Sequence, residues 1–164
     1  MQEIIISWFT GMPKELATFL MAMLPITELR ASIPVAILKY GLSPFSAFFW
    51  SVLGNAFLGV LALLLIEPVT KLIIEKNNFL DKMWQKYIGK LRGKNKDKFA
   101  KWEAWALVSF VAIPLPMTGA FSGAVAASIF QIKSKKAIPL ITLGCLISGT
   151  IVTTLIILGK NFTN

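Results

Sequence analysis

The chain has 164 residues, 55% of them hydrophobic, and a mean hydropathy of +0.69. Soluble domains lie nearer about 45–50% apolar, and here the excess is bunched into runs, which is the pattern of a membrane protein. There is no histidine, and the one cysteine is Cys145. His-dependent phosphatases, His-based metal sites, Ser-His-Asp triads, an intrachain disulfide and a cysteine metal cluster are thereby excluded, and no cofactor is expected.

Lysine and arginine outnumber the acids 17 to 8. Ten of the 17 fall between Glu67 and Glu103, and Lys133, Lys135 and Lys136 share one short loop. Basic loops between apolar runs mark the cytoplasmic side of a membrane. The anionic inner leaflet, not nucleic acid, is their expected partner.

The opening MQEIIISWFTGMP lacks a basic n-region and a small-residue cleavage pattern, so no cleavable signal is expected. Residues 1–13 read as an interfacial segment with Trp8 and Phe9 at headgroup depth. Four apolar stretches follow: Leu16–Leu38, Phe45–Ile66, Ala104–Ile132 and Ala137–Gly159. Each reaches the roughly 20 residues that a spanning helix needs.

The first stretch is interrupted. Its middle reads LPITELRASIP: Pro25 breaks the helix, Thr27 is placed to cap a new one, and Glu28, Arg30 and Pro34 follow. Its legs, Lys14–Leu24 and Glu28–Leu38, are each half a membrane long. After the Lys39–Pro44 turn, Phe45–Ile66 reads as a full span. Asn55, within WSVLGNAFLG, is expected to hydrogen-bond between helices, with a substrate contact as the alternative.

Residues 67–103 read as a basic amphipathic linker helix lying on the inner leaflet. Leu80, Met83, Trp84, Tyr87, Ile88 and Leu91 recur at helical spacing, with Lys82, Lys86 and Lys90 opposite. In Ala104–Ile132, 29 residues long, PLPMTG (Pro114 to Gly119) leaves two legs, Ala104–Ile113 and Gly119–Gln131. Ala137–Gly159 reads as the second full span.

Charge decides between topologies. If all four stretches crossed, the 67–103 linker and the Lys133–Lys136 loop would lie on opposite sides, against the positive-inside rule. If Ala104–Ile132 enters and returns on one side, both basic segments become cytoplasmic. By the same design Leu16–Leu38 is a hairpin from the other face, and both termini lie outside.

The halves also align. PITELRAS (Pro25–Ser32) matches PMTGAFSG (Pro116–Gly123) at an offset of 91 residues, which drifts to 90 at Gly54 and Gly144. Such weak internal symmetry is the trace of transporter repeats, with chance likeness of two proline-bearing segments as the alternative. The expected fold is an all-α integral membrane protein forming a single domain over 1–164. Two inverted repeats, 14–66 and 104–164, each place a re-entrant helical hairpin before a transmembrane helix.

The ELRASIP and PLPMTGAFSG elements, with the basic linker between them, resemble the bacterial small multidrug export protein family and, beyond it, the DedA/VTT superfamily of membrane proteins. The resemblance implies paired re-entrant hairpins in a bacterial inner membrane. For some DedA relatives it implies transport of polyprenyl-phosphate carriers or lipid scrambling. In the DedA pattern the second hairpin also supplies a charge, typically an arginine, whereas Ala104–Ile132 has none.

Half-helices that begin at the midplane point free N–H groups inward. Glu28–Leu38 and Gly119–Gln131 are therefore expected to frame an anion, with Arg30 offering a planar fork and Glu28 a proton-coupling carboxyl. The candidate substrate or ion contacts are Glu28, Arg30, Thr27, Thr118, Gly119 and Asn55. Bland roles stand beside them: Glu28 and Arg30 neutralise each other, Thr27 and Thr118 are N-caps, and Gly119-x-x-x-Gly123 packs against a spanning helix.

Three functions compete. The first is an ion-coupled transporter or flippase for an anionic or amphipathic small molecule or a lipid-linked phosphate. The second is efflux of cationic drugs, disfavoured by Arg30 and the long linker. The third is a non-transporting scaffold or biogenesis factor. An enzyme is not expected, since the apolar regions lack histidine, metal clusters and paired acids. A second copy of the chain is a candidate partner.

The topology has a direct test. In a Cys145→Ala background, single cysteines from Asn95→Cys and Ser134→Cys are expected to label only from the cytoplasmic side. Labelling of one from outside would reject the returning second hairpin.

Overall fold

The structure is a computed structural model that describes residues 11–76, 96–115, 118–130 and 132–163. Regular structure among them is entirely helical: α1 (Lys14–Ala22), α2 (Glu28–Leu38), α3 (Pro44–Lys76), α4 (Lys96–Ala112), α5 (Ala120–Ile129) and α6 (Ser134–Thr163). The interfacial Trp8 and Phe9 and the amphipathic pattern from Leu80 to Leu91, with Lys82, Lys86 and Lys90, lie outside the described residues.

Proline punctuates this fold. Pro13 precedes α1 with φ −52°, already close to helical. Pro25 disfavours helical geometry at Leu24 and ends the α1 run, and Pro114 follows the end of α4. The resulting α1, α2 and α5 have 9, 11 and 10 residues. At about 1.5 Å per residue none can cross a bilayer alone. By contrast, Pro44–Ile66 and Ser134–Lys160 are long and apolar enough to do so.

Two boundaries differ most from the sequence reading. The α3 helix continues past Ile66 to Lys76, and α4 begins at Lys96, ahead of Ala104. Glutamate, lysine, leucine and alanine favour helix on either side of a polarity change, so the backbone continues past Pro68 and does not stop where hydropathy does.

Packing interleaves the halves. The long helix α3 packs on α1 and α2, and also on α5 and α6 from the second half. Its counterpart α6 packs on α4 and α5, and also on α2 from the first half. One apolar cluster results, drawing Leu29 and Ile33 from α2, Leu63 from α3, Val111 from α4, Ala124 from α5 and Ile141 from α6.

Glycine sets two of the close approaches, at positions the repeat alignment pairs. A methyl group at Gly54 would run into the Phe19 carbonyl of α1, and one at Gly144 would lie 2.6 Å from Val111 Cβ of α4. On the outside, Phe45, Phe49, Leu53, Phe57, Leu61 and Leu65 of α3 recur every fourth residue and are exposed. An exposed apolar stripe of this kind is what a helix presents to lipid.

The close approach of α4 to α6 predicts unequal outcomes for one substitution on one helix. Gly144→Ala is expected to destabilise by about 1–3 kcal/mol through overpacking. Gly159→Ala has nothing within 4 Å of the added methyl. It is expected to be neutral or slightly stabilising. Thermal unfolding in detergent measures both, and equal shifts would reject the packing account.

Candidate functional site

The α2 helix starts at Glu28 with φ 48°, the one non-glycine positive φ among the described residues. Left-handed backbone costs an L-residue about 1–2 kcal/mol, and such strain gathers at functional sites. The Glu28 N–H donates to the Leu24 carbonyl at 2.9 Å, and the Thr27 N–H to the same oxygen at 3.1 Å.

Thr27 does not cap α2. Its backbone is already near-helical (φ −92°, ψ −48°), not extended as side-chain capping requires. The hydroxyl instead donates to the Met21 carbonyl at 2.6 Å, an acceptor at the end of α1 that also takes the Leu24 N–H at 3.3 Å.

Glu28 is only 4% exposed. Its carboxylate takes the space that a side chain at Gly119 would need, directly before α5. The Phe121 backbone N–H, in the first turn of α5, donates to it. A helix N-terminus favours negative charge here both by its free amides and by its dipole. The anion position framed in the sequence reading is thus filled, in this structure, by the protein's own carboxylate.

Arg30 joins the two halves of the chain. Its Nη2 lies 3.6 Å from Glu28 Oε2 and donates to Thr118 Oγ1 at 3.1 Å. The Thr118 hydroxyl lies 2.8 Å from the carbonyls of both Ile113 and Leu115, and its single hydrogen serves one at a time. Gly119, not Thr118, is the N-cap of α5, and no side chain caps that helix. Thr118 therefore braces the non-helical segment after α4 and offers Arg30 an acceptor. Arg30 Nε is buried with no hydrogen-bond partner among the described residues. The buried Cys145 of α6 is within electrostatic reach of both charges.

A cleft of about 830 Å³ opens over this pair. Glu28, Arg30 and Pro34 line it from α2, Pro114, Phe121 and Ser122 from the second half, and Lys39 from the far end of α2. Pro34 lies inside α2 and has no N–H, so the Arg30 carbonyl lacks its usual helical donor. Apolar walls with a few convergent polar groups are the general form of a small-molecule site.

The remaining candidates separate. Asn55 is 1% exposed, and its Oδ1 finds no hydrogen-bond partner among the described residues, so the expected interhelical bond through that oxygen is not made. Ser32 and Ser51 supply such a bond between α2 and α3 instead, at 2.8 Å. The Gly119-x-x-x-Gly123 pair has two roles: Gly123 faces Val111 and Ile141, while Gly119 makes room for the carboxylate. Phe121 was not evident beforehand because a backbone amide leaves no mark in side-chain chemistry. The one signal was the offset of 91, which pairs it with Arg30.

A second cleft, about 410 Å³, lies between α4 and α5 with Trp102, Glu103, Phe110 and Phe130 on its walls. Glu103 pairs with Lys136 of α6 at 3.6 Å.

Long apolar helices and exposed apolar stripes, with an ion pair buried among short helices, are the features of a small integral membrane protein. A family model described as "Putative small multi-drug export protein" matches residues 28–151, and the chain belongs to that family. No curated protein and no solved structure matches it.

The Gly119 contact can be tested. Gly119→Ala is expected to push the Glu28 carboxylate off the Phe121 amide and cost about 1–3 kcal/mol. In a Glu28→Ala background the same change is expected to cost close to nothing, since the obstructing carboxylate is gone. Equal melting shifts in the two backgrounds would show that Gly119 matters for some other contact.

Proposed function

We propose that the protein is a proton- or ion-coupled transporter or flippase for an anionic or amphipathic small molecule or a lipid-linked phosphate. The observation that carries this reading is the Glu28–Arg30 pair, set against the start of α5 at the base of a cleft. Each charge costs roughly 2.5–3.5 kcal/mol at a membrane helix centre on insertion scales, so a pair kept there for packing alone is expensive. Membership of an export family supports transport as the class.

In this reading α1–α2 and α4–α5 are re-entrant hairpins entering from opposite faces, as inverted repeats. The interleaved packing and the paired Gly54 and Gly144 contacts support that arrangement. The bilayer is a bacterial inner membrane, both termini lie outside, and the basic segments face the cytoplasm. Export of cationic drugs is the second reading, favoured by the family's description and by the apolar cleft that bears Glu103. Arg30 counts against it at the first cleft, because a cation there meets like charge.

Substitution separates these readings from a scaffold. Glu28→Gln keeps the shape and removes the ionisable group, so the protein is expected to fold while coupled transport in liposomes is lost. Arg30→Lys keeps the charge but not the planar fork, and an anionic substrate is expected to bind about tenfold more weakly, the loss of roughly one hydrogen bond to a charged group. Tighter binding of a cationic drug to Arg30→Gln would favour the second reading. A parallel fall of expression, melting and transport in every variant would favour the scaffold.

A further inference from the structure

Two groups decide the charge of this site, and only two of its four possible states are neutral. With the cleft empty, the Glu28 carboxylate cancels the Arg30 guanidinium. With a monoanion seated, Arg30 is cancelled by the ligand, and neutrality requires Glu28 to carry a proton. The other two states, ionised Glu28 with an anion bound and protonated Glu28 with the cleft empty, leave net charge among apolar helices, which is unfavourable.

Space enforces the same choice. The carboxylate lies directly before Gly119 and accepts from the Phe121 N–H, which is where an incoming anion would find the α5 donors. Both cannot hold that position at once. Arg30 also has bonding capacity to offer, because its Nε has no partner among the described residues.

One other described charge lines the cleft, Lys39, nine residues beyond Arg30 and so about 13 Å along α2. The apolar part of α3, Pro44–Ile66, and all of α5 carry no ionisable side chain. On α6 the neighbour is the Cys145 thiol. On α1 the ionisable residues are Lys14 and Glu15, at the end away from the Glu28 turn. Lys39 lies at the far end of α2, and Glu103 of α4 is paired with Lys136.

We propose that the site binds an anion and a proton together: a monoanion seats against Arg30 and the start of α5 only as Glu28 is protonated, so the loaded site is electroneutral and anion and proton travel in the same direction. This rests on the anion-transport reading above and adds its coupling rule. The proton comes from cleft water to a Glu28 carboxylate oxygen, and no other bond changes. Neutral Glu28 no longer competes for the α5 amides, and the anion replaces it there.

Purified full-length protein in detergent, titrated calorimetrically with naphthalene-2-sulfonate, tests this. That probe stays monoanionic at every pH used, so any proton taken up belongs to the protein. Running the titration in buffers of different ionisation heat counts those protons. About one proton per bound anion is expected once Glu28 is ionised in the free protein, with Kd weakening about tenfold per pH unit there. Glu28→Gln is expected to bind without proton uptake and without pH dependence. The proton count on the wild type is decisive even if that variant does not fold. Saturable binding with no proton uptake and a constant Kd from pH 6 to 9 would overturn the coupling rule and leave the anion site standing. No saturable binding by either protein would overturn the anion reading and this inference with it.

Discussion

A carboxylate among apolar helices must find donors, and Glu28 finds them on both halves of the chain. Arg30 is two residues away on the same helix, while the Phe121 amide belongs to a helix that begins ninety-two residues after Glu28. Much else follows from that meeting. The α5 helix must start where it does, so that its free amides face the acid. Residue 119 must lack a side chain, because the carboxylate occupies the space. Thr118 must turn its hydroxyl toward the carbonyls behind it, leaving the oxygen as an acceptor for Arg30. The strain of φ 48° at Glu28 is tolerated because several contacts hold it in place.

The alignment of the two halves gives this meeting a second meaning. An offset of 91 pairs Glu28 with Gly119 and Arg30 with Phe121, and these four positions converge in the fold. Chemistry at that junction is nevertheless one-sided: the first half gives the acid and the guanidinium, and the second gives a gap and an amide.

Breaks and lengths were legible in the sequence because their causes are local. Proline removes a donor wherever it stands, and the positions of Pro25 and Pro114 mark the ends of α1 and α4 to within three residues. Glu28 and Arg30 stood out because charges in apolar runs are rare. Thr27 and Thr118 were harder, since a hydroxyl can serve the start of one helix or the leftover carbonyls of the previous one, and backbone angles decide. The use of Gly119 was hidden because its reason is another residue's side chain, 91 positions away. Asn55 shows the same difficulty: its burial was foreseeable, but whether its oxygen meets a donor depends on helix rotation that no local pattern encodes.

Interleaved packing also has a consequence for how the chain is made. A ribosome delivers Glu28, Arg30 and α3 before it has translated α5 and α6, so the acid is made before its amide donor, and α3 before two of its packing neighbours. During that interval the guanidinium two residues on is, among the described residues, the charge paired with the carboxylate. At that stage the paired guanidinium keeps this turn close to neutral, before the second half closes over it.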